Sequence, residues 1–192
     1  MAYELQSEHS LFLDIEQIIP IKDAEDFTIR IAEKGKDESK IETQIATRHV
    51  IREKFWNELL KKMNSKSDLF RSISVGKDNW IGIGAGISGV AYNFVVTKDG
   101  SRIELYIGTP IRQRNKEIFD FLYSRKAEIE NNFAQEITWS RYDDKESSKL
   151  HTSVTGNYFE EDQWAELVDK MTDIMIEFHK ATHKYLREYR AH

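Results

Sequence analysis

The chain has 192 residues, 40% hydrophobic and 32% charged, with a formal net charge of −5, which supports one core-bearing domain with a heavily charged surface. No stretch reaches the ~18 apolar residues needed to span a bilayer, and the N-terminus lacks a basic-then-apolar leader pattern, so no membrane partner is expected. Cysteine is absent, which excludes disulfides, thiolate metal ligation and a cysteine nucleophile and fits a cytoplasmic location.

The charge is uneven. Residues 1–45 carry 5 Lys/Arg against 11 Asp/Glu, whereas residues 46–192 carry 23 against 22. Residues 1–44 read as an acidic arm and linker, with strand-like runs at 10–18 and 26–32 around Pro20 and a charged tract at 33–40. Residues 45–192 read as a single domain. A helix is predicted from about residue 41–43 to Met63, because Ile45, Ile51, Phe55, Leu59 and Met63 recur at helical spacing. A four-strand meander follows at 69–75, 80–83, 90–97 and 102–107, its last two strands joined by the tight turn Lys98-Asp99-Gly100-Ser101. A second helix is predicted over 113–133, with Ile118, Phe121, Leu122, Ile129 and Phe133 on its buried stripe. Two further strands are expected at 136–142 and 149–154, around a charged turn.

The last helix is predicted over 161–189, where Trp164, Leu167, Met171, Phe178, Thr182, Tyr185 and Tyr189 trace a 3–4 repeat. At ~1.5 Å per residue it would reach about 43 Å, so its end is expected to project or to meet a second copy of the chain. The fold class is α+β: an antiparallel sheet flanked by helices, with a long C-terminal helix.

Gly84, Gly86 and Gly89 form a G-x-G-x-x-G, the spacing of a dinucleotide-binding loop. That motif works by aiming the N-terminus of a following helix at a pyrophosphate. The next residues, Val90-Ala91-Tyr92-Asn93-Phe94-Val95-Val96, are β-branched and aromatic. They predict a strand, so the glycines belong to a loop between antiparallel strands and no cofactor is expected. His179 and His183 stand at i and i+4 on the last helix, but without a third ligand no metal site is expected. Asp143-Asp144-Lys145 matches half of a PD-(D/E)XK nuclease signature, yet the upstream acids Glu128 and Glu130 fall on a predicted helix, and a charged turn is the simpler reading.

Basic and aromatic residues give the stronger binding signal. Residues 46–77 hold eight Lys/Arg, among them Arg48, Arg52, Lys62 and Lys77, against three acids. Arg112 adds to them at the start of the second helix. Such a patch attracts phosphate backbones, and Trp80, Tyr92 or Tyr106 would stack on bases. Asn93, Arg141, Asp143, Asp144 and Lys145 complete the candidate contacts. Alternation on the strand at 102–107 puts Arg102, Glu104 and Tyr106 on one face, as a polar platform or a cross-strand salt bridge.

Several stretches together, Phe55-Trp56, Lys77-Asp78-Asn79-Trp80-Ile81, Gly86-Ile87-Ser88-Gly89, Tyr92-Asn93-Phe94-Val95 and Arg102-Ile103-Glu104-Leu105-Tyr106-Ile107, resemble a bacterial and archaeal family of unknown function. Asn115-Lys116, Ile118-Phe119-Asp120, Trp139, Arg141 and Asp143-Asp144-Lys145 agree with it, and the likeness covers roughly residues 46–185. In that family the domain often follows a PD-(D/E)XK-like nuclease domain, which implies a link to DNA restriction or processing. This chain has only the short acidic arm in that place. The resulting expectation is a non-catalytic accessory module that contacts nucleic acid. Its rivals are a homodimerisation module using the C-terminal helix and a divergent metal-dependent nuclease.

Overall fold

The computed structural model describes residues 48–191; the two strand-like runs and the charged tract predicted before them lie outside the described residues. Helix α1 spans 48–66. It is followed by β1 (Trp80–Gly84), β2 (Val90–Thr97), β3 (Gly100–Ile107), α2 (Arg112–Tyr123), α3 (Lys126–Asn131), β4 (Thr138–Ser140), β5 (Ser148–Val154) and α4 (Trp164–Ala191). All strand pairs are antiparallel, in the order β1-β2-β3-β5-β4.

Cross-strand register sorts the side chains onto two faces. One face carries Tyr92, Phe94, Ile103, Leu105, Leu150 and Trp139, and it receives the helices. From α1 come Phe55, Trp56, Leu59 and Met63, all fully buried. The Trp56 indole donates to the Asp78 carbonyl at 3.0 Å and so ties the segment before β1 to α1. From α4 come Met171, Met175, Phe178 and Tyr185. The Tyr92 hydroxyl lies 2.8 Å from Thr182 Oγ1, and burial raises the pKa of the phenol.

Three expectations need correction. Residues 69–75 form turns and irregular backbone, not a strand. Phe70 packs on Phe94 at 4.8 Å, and the amides of Arg71 and Ile73 close local turns on Asp68 and Phe70. The apolar residues there plug the core one by one while β1 holds the sheet edge. The second helix is broken at Ser124-Arg125, where the Ser124 hydroxyl donates to the Phe121 carbonyl and the Arg125 amide tightens onto Leu122. Its apolar phase survives the break, with Ile118, Leu122, Ile129 and Phe133 all buried.

The end of α4 does not project. At ~1.5 Å per residue its 28 residues span about 42 Å, and its apolar stripe is covered within the domain through Tyr185 and Leu186. Tyr189 then meets Phe121 edge-on at 5.5 Å. The helix borders α1 through Lys62–Asp169 and Lys66–Asp173, and it reaches the β1–β2 loop through Arg190. The apolar stripe is thus covered by this chain over the described residues.

Two histidines on α4 make the fold acid-sensitive. The His179 ring stacks on His183 at 4.5 Å and packs on Tyr92 at 4.9 Å. Burial, and then the charge His183 would carry, lower the pKa of His179 from 6.5 to about 4. The unfolded chain therefore takes up this proton first, so stability is full above pH ~6.5 and falls as the pH approaches 4. Allowing for partial exposure, the loss is about 2 kcal/mol. Urea melts at pH 7 and pH 4.5 check it: His179→Phe should shrink the difference, and an unchanged difference would dismiss this pair as its source.

Candidate functional site

The second sheet face carries no helix among the described residues. Register places Gly82, Asn93, Glu104, His151 and Thr138 in one row across all five strands. A second row holds Trp80, Val95, Arg102 and Ser153, and a third holds Gly84, Ala91, Tyr106, Lys149 and Ser140.

Glu104 is the centre of this grid and is only 6% exposed. Arg102 Nε donates to its Oε2 at 2.9 Å, Asn93 Nδ2 donates to its Oε1 at 3.3 Å, and Lys149 Nζ stands 3.9 Å from Oε2. The expected cross-strand bridge is thus an Arg–Glu pair along one strand, backed by a lysine from the next. A buried carboxylate needs this much compensation, because desolvation disfavours its charge. Asn93 lies flat over Gly82: a β-carbon there would sit 2.0 Å from Asn93 Oδ1.

Two polar atoms of the grid, Asn93 Oδ1 and His151 Nδ1, are buried without a hydrogen-bond partner among the described residues. Burial, followed by the positive charges of Lys149 and Arg102, lowers the His151 pKa and favours the neutral ring. Two large aromatic side chains are exposed on the same face, Trp80 at 49% and Tyr106 at 39%, whereas Tyr92, expected to stack with them, is fully buried on the opposite face against α4. Two strands across and four residues along, they stand about 17 Å apart by sheet geometry. The face therefore combines aromatic surfaces at its margins with cations and unsatisfied hydrogen-bonding groups between them.

Residues 51–186 match the family described as Domain of unknown function (DUF4268). The chain belongs to that family. Neither a curated protein nor a solved structure matches it.

The remaining candidate residues of this DUF4268 domain do not form one groove. Arg48 and Lys77 are exposed. Arg52 lies over the Tyr158 ring at 6.0 Å and points Nη1 at the Lys77 carbonyl, 3.5 Å away. Lys62 pairs with Asp169 at 2.5 Å, Lys66 with Asp173 at 2.6 Å and Lys54 with Glu161 at 3.8 Å. Part of the positive charge counted along α1 is thus offset by Asp169 and Asp173 of α4 and by Glu161 just before it, which a local count of sequence charges does not register.

Arg112, Arg141 and Asp143 meet at another place, the turn between β4 and β5. Arg141 spans Asp120 on α2 (Nε to Oδ1, 2.8 Å) and Asp143 in the turn, and Arg112 donates to the Asp143 carbonyl. Beneath them Lys116, 5% exposed, donates to the carbonyls of Arg141, Tyr142 and Ser147 at 2.7–2.9 Å and meets Ser148 Oγ at 3.0 Å. This capture holds Tyr142 at φ 53° and ends β4 at Ser140, short of the predicted strand.

Asp144 and Lys145 are exposed, and the Lys145 ammonium rests 4.4 Å from the centre of the Tyr142 ring. Among the described residues no group of three or more His, Cys, Asp or Glu is placed to hold a metal ion. The bonds from Arg112, Arg141 and Lys116, with the Lys145 amide closing on the Tyr142 carbonyl, make Asp143-Asp144-Lys145 a braced turn in the DUF4268 domain.

Sequence reading found Trp80, Asn93, Arg102, Glu104 and Tyr106 but missed Lys149 and His151. Those two lie more than forty residues along the chain and reach the grid only because β5 pairs with β3. Their alternation with Leu150 and Thr152 was the available signal. No helix of the described residues is long and apolar enough to cross a membrane.

Proposed function

We propose that this domain is a non-catalytic accessory module that holds single-stranded nucleic acid across the sheet face that carries no helix among the described residues. The observation that carries the reading is the pairing of exposed Trp80 and Tyr106 around a polar, partly unsatisfied grid containing Arg102, Lys149, Asn93 and His151. Unpaired bases stack on exposed aromatic side chains and bond through edges that a duplex hides. Glu104 offsets one of the two cations, so stacking supplies most of the affinity and phosphate contacts the smaller part. The likeness to a family found beside nuclease domains agrees with a role next to DNA-processing enzymes. The basic stretch of α1, where Lys62 and Lys66 pair with acids of α4, is not part of this surface.

Fluorescence anisotropy with labelled single-stranded and duplex oligonucleotides tests the reading. Single strands should bind better than duplex, with a shallow salt dependence, roughly one released counterion per strand contact made by Arg102 or Lys149. Trp80→Ala and Tyr106→Ala should each weaken binding about 5- to 150-fold, while Lys62→Ala leaves it unchanged. No binding at low ionic strength, or equal affinity of both variants and parent, would defeat the proposal.

A further inference from the structure

A second site lies at the opposite side of the glycine run from the stacking face. The β1–β2 loop, residues 85–89, has Gly86 at φ 84° and Gly89 at φ 83°. The Ala85 amide donates to Val90, but those of Gly86, Ile87, Ser88 and Gly89 donate to nothing among the described residues. Consecutive free amides next to left-handed glycines form concavities that accept anions.

Three guanidinium groups surround this loop. A cavity of about 380 Å³ is lined by Gly86, Ile87, Ser88, Arg114, Tyr189 and Arg190. An adjoining cavity of about 350 Å³ shares Gly86 and Arg190 with it and adds His183 and Arg187. Among the described residues no carboxylate lines either one. Arg190 reaches the Gly86 carbonyl at 3.3 Å, whereas Arg114 and Arg187 have no ion pair or hydrogen bond among the described residues. Arg114 stands in the first turn of α2, which has no side-chain cap and no acid to oppose its positive dipole end. A helix-capping role would account for Arg190 alone. It does not account for two unpaired arginines, one from a different helix, converging on a loop with free amides.

We propose that this cleft binds a phosphate monoester through Arg114, Arg187, Arg190 and the amides of the Gly86–Gly89 loop. Guanidinium groups match phosphate oxygens in planar, forked geometry, and a dianion meets the local excess of positive charge. Tyr189 and Leu186 give the walls an apolar part, so a nucleoside attached to the phosphate has surface to lie against. The phosphate could be carried by a free mononucleotide or by the 5′ end of a strand, and both present the same group. The glycine run thus serves an anion without the strand–turn–helix of a dinucleotide fold.

The test is titration of the full-length chain, followed by ¹H–¹⁵N NMR and calorimetry, with inorganic phosphate, a nucleoside 5′-monophosphate, the same nucleoside without phosphate, and oligonucleotides with and without a 5′-phosphate. Phosphate and the monophosphate should shift the amides of Gly86, Ile87 and Ser88. Arg114→Gln and Arg187→Gln, which break no bond in the fold, should each weaken binding about tenfold, and Arg71→Gln should not. Tighter binding of the 5′-phosphorylated strand than of its 5′-hydroxyl form would assign the site to strand ends; equal binding of the two strands beside a binding monophosphate would assign it to free nucleotides. No amide shift up to about 10 mM of either phosphate probe, shifts confined to other loops, or equal binding of the nucleoside without phosphate would each overturn the proposal.

Discussion

Lys116→Met should destabilise the domain by about 3–5 kcal/mol, the largest effect expected of any single change outside the apolar core. The ammonium is buried and donates to three backbone carbonyls, which converge from the turn between β4 and β5. Methionine fills a similar volume but leaves those carbonyls buried and unpartnered, at about 1–3 kcal/mol for each that water cannot reach. Burial, and then the charges of Arg112 and Arg141, lower the Lys116 pKa. The turn therefore needs the ammonium more than the ammonium favours its site. Against a typical stability of about 5–15 kcal/mol this is a large share, and a fall in Tm of roughly 10 °C is expected. Ser148→Ala, which removes one oxygen of the same cluster, should cost only about 1 kcal/mol. Urea melts of both variants measure this, and Lys116→Met as stable as the parent would show that the turn relaxes to admit water.

The three glycines of the G-x-G-x-x-G should respond very differently to alanine, with Gly89→Ala costing about 3 kcal/mol. Its φ of +83° disfavours any side chain. A β-carbon there would also sit 2.7 Å from Thr109 Cα and 2.9 Å from the Gly108 carbonyl oxygen. Those are backbone atoms, fixed by the Gly108 amide bonding to Gly89 and by Asn115, which bonds both the amide and the carbonyl of Thr109. Gly86→Ala meets only the end of Arg190 at 3.5 Å and should cost the left-handed conformation alone, about 1–2 kcal/mol. Gly84 has neither a positive φ nor a neighbour within 4 Å, so its alanine variant should be close to neutral. Thermal melts of the three variants give the ranking. An equal cost at all three positions would mean that the spacing itself, and not the packing of Gly89 on residues 108–109, sets the requirement.

Much of the polar sheet face was legible because β-strand alternation is a local rule. Arg102, Glu104 and Tyr106 had to share a face whatever the strand paired with. What alternation cannot state is the neighbour. Lys149 and His151 enter the grid through the β3–β5 pairing, and Asn93 settles onto Gly82 through the β1–β2 register. Charge counting misled for the same reason: Lys62 and Lys66 look like a free basic patch until α4 lays Asp169 and Asp173 beside them. Asn115 and Lys116, read first only as points of family likeness, turned out to hold two loops together, a role visible only when the carbonyls they bind are placed.

The sequence by itself determined the α+β class, the four longer strands β1, β2, β3 and β5 (with one run too many at 69–75), the helical stripes and the exclusion of a dinucleotide loop. Each of these depends on periodicity or on residues within a few positions of one another, where backbone sterics and side-chain period leave little choice. Only the tertiary structure decided which cations remain unpaired, where the end of α4 goes and which loops meet. Those outcomes depend on contacts between residues far apart in the chain, as when Arg190 reaches Gly86. Burial and charge pairing are settled there by whichever element folding brings alongside.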